Sequence, residues 1–84
     1  MVRQITEAES YYIYWSVRVK AKKRVIDGLT VPNVPEGQPE PDDWRENRLM
    51  CLDAHCQELE VMQLKVKHYK RLVNKERRAR ELQV

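Results

Sequence analysis

The sequence predicts an all-α protein, an antiparallel helical hairpin in which a short helix, a proline-rich connector and a long coiled-coil-like helix follow one another. Three observations favour this fold class. Apolar residues recur at heptad spacing in both outer segments, a group of prolines separates the segments, and helix-start signals precede each. The 84 residues are expected to form a single small domain, divided into 1–28, 29–41, 42–81 and a tail at 82–84.

The first segment is predicted to be an amphipathic helix that begins after Thr6. Thr6 followed by Glu9 has the capping-box pattern, and Gly28 is expected to adopt the left-handed conformation that ends many helices. Two rows at heptad spacing are apolar at every position but one, which indicates a buried stripe. The rows are Ile5, Tyr12, Val19 and Ile26, and Ala8, Trp15, Lys22 and Leu29.

An N-terminal β-hairpin followed by the long helix is the alternative for this segment. Residues 11–21 also alternate apolar and polar side chains, and β-branched and aromatic residues favour strands. Asp27-Gly28 is a frequent hairpin turn. A lone hairpin is only marginally stable in water, so the helix is preferred.

Residues 29–41 are predicted to form an extended connector, because four prolines within this short stretch exclude a helix. Residues 42–81 contain neither proline nor glycine and are predicted to form the long helix. Its inward-facing residues have the heptad spacing typical of a coiled coil. The rows are Leu52, Leu59, Val66 and Val73, and His55, Met62, Tyr69 and Glu76.

Charge is strongly segregated along the chain. Residues 1–28 carry six Lys/Arg and three acids, a net of +3, and residues 29–64 carry two and eight, a net of −6. Residues 65–84 carry eight and two, a net of +6. Blocks of like charge repel one another unless they are solvated or matched by a partner, so the basic end indicates a contact surface.

The predicted register of the hairpin leaves that basic end protruding. It places Trp15 beside Cys56 and Leu59, and residues 20–24 against the acidic residues 36–46. Everything after Tyr69 would then lack a covering helix. The predicted partner-binding residues are Trp15 and the apolar side chains near this end, namely Val66, Tyr69, Leu72 and Val73.

The expected function is a non-catalytic regulatory or adaptor role, in which the hairpin binds and modulates a larger host protein or a nucleoprotein enzyme. Small, charge-segregated chains are common among phage accessory proteins, so a phage-type inhibitor is the specific form expected. One alternative is a coiled-coil assembly subunit, which includes a homodimer. Another is a nucleic-acid-binding module that uses the basic helix through Lys67, Lys70, Arg71, Lys75, Arg77, Arg78 and Arg80.

Enzymatic activity is not expected, because the sequence contains no triad, phosphate-binding loop or catalytic carboxylate pair. Cys51, His55 and Cys56 are too few for structural zinc, which uses four ligands, and neither a metal nor another cofactor is expected. No apolar run approaches the roughly 18–20 residues of a membrane span. Two free cysteines fit a reducing compartment, so a cytoplasmic location is expected.

Overall fold

The computed structural model describes residues 4–32 and 34–82, which form two helices. Helix α1 spans Glu7–Leu29 and helix α2 spans Asp42–Leu82. The helices run antiparallel, since the start of α1 contacts the end of α2 and the end of α1 contacts the start of α2. The predicted all-α helical hairpin is therefore confirmed. Residues 83–84 of the predicted tail, residues 1–3 and Asn33 lie outside the described residues.

The β-hairpin alternative is wrong, because residues 11–21 lie within α1. The capping residue that favoured the helix has the expected geometry. Thr6 is in the extended conformation, with φ −71° and ψ 163°, and its side-chain oxygen accepts a hydrogen bond from the backbone N–H of Glu9 at 3.2 Å. This bond satisfies one of the amide groups that the first turn of a helix leaves without a partner.

Helix α1 ends at Leu29, so the prediction that Gly28 ends it in the left-handed conformation is wrong. Gly28 lies inside the helix, and among the described glycines a positive φ occurs at Gly37. Thr30 closes the helix, because its hydroxyl donates to the carbonyl of Asp27 at 2.7 Å. Arg48 of α2 donates to the carbonyl of Leu29 at 2.8 Å. These donors satisfy carbonyls that a glycine cap would otherwise satisfy.

A carboxylate with little exposure to solvent fixes the connector to both helices. Glu40 has a side chain only 6% exposed, and it accepts hydrogen bonds from Nε and Nη2 of Arg48 at 2.8 and 3.0 Å. Because Arg48 also binds Leu29, one guanidinium joins the connector, α1 and α2. Arg45 lies 3.8 Å from the same carboxylate. The predicted pairing of residues 20–24 with the acids at 36–46 is therefore not what neutralises Glu40.

A single seam between the two helices forms the core. Ala8 and Val73, 7% and 8% exposed as whole residues, are the two buried residues of the described chain. The other members of the predicted inward rows are half-buried, apart from Ile5, which is exposed. The molecule measures 65 × 24 × 15 Å, and its smallest dimension is close to the width of one helix with side chains. Nothing in the described chain covers the two broad sides of this flat hairpin.

The register of the helices differs from the predicted one by about one heptad. Trp15 lies beneath the ammonium of Lys65, not beside Cys56 and Leu59, and Tyr11 stacks on Tyr69. The prediction that α2 is uncovered after Tyr69 is therefore wrong. Polar pairs set this register, because a heptad pattern alone repeats after every seven residues. Lys22, inside the seam, donates to Nδ1 of His55 at 3.0 Å and to the carboxylate of Glu58.

Candidate protein-binding face

The two broad sides of the hairpin differ in chemistry. In an antiparallel pair of helices, the positions that flank the seam on the same side come together and form one face. The grooves of the structure show this arrangement, since Arg18, Val25 and Glu58 line one groove and Lys23, Gln63 and Lys67 line another. The first of these sides carries the larger number of exposed apolar side chains. The second carries more exposed charge, together with exposed Ile13 and Leu49, and Val19, Leu64 and Val66 also line its groove.

We call the first side the apolar face. Its exposed large side chains come from both helices and extend from the connector end to the opposite end of the molecule. They are Tyr11, Tyr14, Val25, Trp44, Val61 and Leu72. The second side, the polar face, carries the exposed charged residues Lys20, Lys23, Asp27, Glu46, Asp53, Glu60, Lys67 and Lys70. An apolar surface that spans both helices is typical of a site that contacts another macromolecule.

Aromatic rings are concentrated at one end of the apolar face. Tyr11 of α1 stacks on Tyr69 of α2, with ring centroids 5.1 Å apart and an angle of 24° between the planes. Tyr14 meets Trp15 edge to face at 5.1 Å, and His68 meets Tyr69 in the same way at 5.0 Å. These are the preferred geometries of aromatic pairs. The stack therefore joins the two helices and presents rigid ring surface to the outside.

Two cations lie over these rings. The Lys65 ammonium is 4.5 Å from the centroid of the Trp15 ring, and the Arg18 guanidinium is 5.3 Å from that of Tyr14. Both distances are within the range of a cation–π contact. Neither cation forms an ion pair with a described residue. The cluster thus combines aromatic surface with positive charge that has no counter-ion in the described chain.

The predicted partner-binding residues divide between the seam and the apolar face. Val73 is buried and Val66 is half-buried in the seam, so neither lies on an uncovered part of α2. Trp15 and Tyr69 are half-buried and belong to the aromatic cluster. Leu72, 37% exposed, lies one turn beyond Tyr69 on the same side. Their role in binding a partner stays a prediction.

Sequence reasoning missed most of the apolar face. Tyr11, Arg18 and Val25 follow one another at heptad spacing, and each directly precedes a member of the seam row that contains Tyr12. In α2, Trp44 and Leu72 occupy the matching row. The signal was therefore present as a second row beside the seam. One apolar stripe per helix accounts for the seam alone, whereas a hairpin with an apolar outer face needs a second stripe on each helix.

The basic residues predicted to bind nucleic acid are also divided by the structure. Arg80 donates to the carboxylate of Glu9 at 3.0 Å, and Lys75, two heptads after Val61, lies on the apolar-face side of α2. The other five share one side of α2 on the polar face: Lys67, Lys70, Arg71, Arg77 and Arg78.

The described residues contain neither a candidate metal site nor a membrane-spanning helix. Within them, no group of three or more His, Cys, Asp or Glu side chains could hold a metal ion, and neither helix is long and apolar enough to cross a bilayer. Cys51 is exposed and Cys56 is half-buried, both as free thiols. The hydrogen bond from Lys22, followed by its charge, lowers the pKa of the Glu58 carboxyl. That shift reflects an ion pair that fixes the helix register.

The fold and the site define a two-helix hairpin with one apolar face and one charged face. Comparison of the chain with family models, with curated proteins and with solved structures found no match. The chemistry of the two faces is therefore the basis for inferring what the protein does.

Proposed function

We propose that the protein is a non-catalytic adaptor that binds a larger protein through its apolar face and modulates the activity of that partner. The observation that supports this function most is the aromatic cluster with its two cations. Tyrosine, tryptophan and arginine are the residues that contribute most of the binding energy at protein interfaces. A phage-type inhibitor of a host enzyme is the specific form of this proposal.

The dimensions of the apolar face suit such a role. A rectangle of 65 × 24 Å offers about 1,500 Å² in plan, and a standard interface needs about 800 Å² from each partner. Half of the face is therefore enough for a specific complex. The aromatic cluster occupies one end of it, so we expect this end to contain the residues that matter most for affinity.

The chemistry of the face also limits the partner. Tyr11, Tyr14 and Leu72 require an apolar surface opposite them, whereas Arg18 and Lys65 require acceptors. Carboxylates near the rim of an apolar patch would meet both needs, since electrostatic complementarity orients partners and excludes wrong ones. We therefore propose that the partner presents an apolar patch bordered by Asp or Glu side chains.

A matched pair of double variants tests this proposal. Tyr14→Ala with Arg18→Ala removes one ring and one cation from the apolar face. Ile13→Ala with Lys20→Ala removes one apolar side chain and one cation from the polar face of the same helix. Each protein is immobilised and exposed to a nuclease-treated lysate of the cell that makes it, and the retained proteins are quantified by mass spectrometry. Circular dichroism verifies that both variants are folded.

We expect the wild type and the polar-face variant to retain the same stoichiometric protein. The apolar-face variant loses one ring and one cation of the aromatic cluster. Its retention of this protein is expected to fall at least about tenfold, since residues that dominate an interface contribute about 2 kcal/mol or more. Equal retention by all three proteins would contradict the proposal. Recovery of nothing except a further copy of the chain would also contradict it and would favour the assembly-subunit alternative.

A further inference from the structure

A line of five basic side chains follows α2 on the polar face. We call it the basic stripe, and it consists of Lys67, Lys70, Arg71, Arg77 and Arg78. Separations of three, four and seven residues place them on one side of a helix, over a length of about 16 Å at 1.5 Å per residue. All five are exposed, and none forms an ion pair with a described residue.

The acids close to the stripe do not neutralise it. Glu76 faces the seam, where its carboxylate accepts a hydrogen bond from the Thr6 hydroxyl at 2.7 Å. Glu9 of α1 is bound to Arg80, which is not part of the stripe. Asn74, an uncharged residue, occupies the position between the two halves of the stripe. Glu81, which is exposed, follows Arg78 by three residues and Arg77 by four, and it forms an ion pair with neither.

We infer that the basic stripe binds the phosphate backbone of a nucleic acid. Along the axis of a DNA duplex each strand presents one negative charge about every 3.4 Å, so a stripe about 16 Å long that lies along this axis spans about five phosphates of one strand. The stripe carries five cations within an arc of about 120° on one straight helix, which presents a linear polyanion with a band of positive charge of matching length. Three of the five are arginines, whose planar guanidinium binds a phosphate through two parallel hydrogen bonds.

The location of the stripe extends the proposed function. Because it lies on the polar face, a nucleic acid bound there leaves the apolar face free on the other side of a molecule 15 Å thick. The hairpin can then hold a protein and a nucleic acid at the same time, as expected for an adaptor that acts on a nucleoprotein complex. The stripe has no aromatic side chain that could stack on bases, so binding is to the backbone and independent of base sequence.

Fluorescence anisotropy with labelled oligonucleotides tests this inference. The probes are a 20-base-pair DNA duplex and a single-stranded RNA of 20 nucleotides, titrated with the full chain at 50, 100 and 200 mM NaCl. If four or five contacts form, the plot of log affinity against log salt is expected to have a slope of about −3.5 to −4.5 for the duplex and about −3 to −3.5 for the single strand. Arg77→Gln with Arg78→Gln is expected to weaken binding at least about tenfold at 50 mM and to reduce the magnitude of the slope by about 2.

The control variant carries the same change of charge on the other face. Arg18→Gln with Lys65→Gln removes two cations from the apolar face and is expected to keep the affinity and the salt slope of the wild type. Lys67→Gln with Lys70→Gln, a second change within the stripe, is expected to match the Arg77/Arg78 variant. Circular dichroism measures the helicity of each variant and identifies any variant that loses binding because it is unfolded. If one of the two stripe variants is unfolded, the other one tests the inference.

Three results would overturn the inference. The first is the absence of binding to either probe at 50 mM NaCl. The second is an equal loss in the stripe and control variants, which would show that binding follows net charge alone. The third is equally tight binding of a polyglutamate peptide of 20 residues with the same salt dependence, which would assign the stripe to an acidic protein surface.

Discussion

Val73 is buried in the seam, and a conservative substitution measures how much its burial contributes to the free energy of unfolding. We expect Val73→Ala to reduce the free energy of unfolding by about 1–2 kcal/mol, because two buried methyl groups are lost and a small cavity remains. Val61→Ala is the matched control, since Val61 is 54% exposed on the apolar face, and it is expected to cost less than about 0.5 kcal/mol. Urea denaturation followed by circular dichroism measures both. Equal effects would show that the observed register of the helices is wrong.

We expect Glu40 to make the stability of the hairpin depend on pH. Hydrogen bonds from Arg48, followed by the charges of Arg48 and Arg45, lower the pKa of this carboxyl below its ordinary value of 4.5. A group with a lowered pKa in the folded state stabilises the protein fully above its unfolded pKa, and this contribution is lost as the pH falls through the lower, folded value. The wild-type melting temperature is therefore expected to fall as the pH drops below about 4.5.

Glu40→Gln is the variant that tests this origin of the pH dependence. It is expected to melt at a lower temperature than the wild type at pH 7 and to show a flatter decline between pH 5 and pH 3. The exposed Glu36 of the same connector supplies the control, and Glu36→Gln should follow the wild-type curve. Thermal melts in a pH series distinguish the outcomes. A Glu40→Gln curve parallel to that of the wild type would assign the acid sensitivity to other groups, of which Glu58 is the first candidate.

At the scale of the elements, the two glycines of the chain should respond in opposite directions to the same substitution. Gly28 lies within α1, and an added Cβ would meet nothing within 4 Å. Gly28→Ala is therefore expected to stabilise the hairpin by about 0.5–1 kcal/mol. Gly37 has φ +85°, a conformation that side chains disfavour, so Gly37→Ala should destabilise it by about 1–2 kcal/mol. If α1 ended at Gly28 in the left-handed conformation, Gly28→Ala would be destabilising as well.

Much of each helix could be predicted from the sequence, whereas the way the helices pair could not. The rows that contain Val19 and Val66 do lie inward, because heptad spacing determines which side of a helix is apolar. The register was missed because apolar rows fit equally well after a slip of one heptad. The polar residues within those rows distinguish the correct register from the others. Lys22 needs an acid beside it, and Glu58 provides one in the observed register, whereas the predicted register would bring Lys22 near Leu49.

The candidate site was harder to predict than the fold, for a related reason. The partner-binding prediction depended on which part of α2 lacks a cover, so an error of one heptad moved Val73 from the expected surface into the core. Tyr11 and Arg18 lie beside the seam. The sequence of one helix alone does not show which residues of the other helix will share a face with them. The basic stripe depends on α2 alone, and its five members were therefore all among the residues predicted from sequence.

The whole molecule exposes far more surface than a compact protein of its mass. The accessible area is 7352 Å², whereas a compact protein of 10.1 kDa is expected to expose about 5,300 Å². The excess of about 2,000 Å² exceeds what a standard interface removes from one partner. A flat hairpin gains this surface because each helix is covered along one side only. Association through the apolar face would bury much of this excess, so that the buried fraction of the surface would approach that of a compact small domain.

This large exposed surface leads to a prediction for the isolated chain. Relative to an unfolded area of about 14,600 Å², folding buries about half of the surface, against about 64% for a compact domain of this size. The dependence of the unfolding free energy on urea scales with the area exposed on unfolding, so its slope is expected to be about one fifth smaller than for a compact domain of equal length.

The midpoint of urea unfolding should not change between 2 and 200 μM protein. A larger slope with a midpoint that rises with concentration would show that a second copy covers the apolar face, and the face would then serve assembly, not the capture of a different protein.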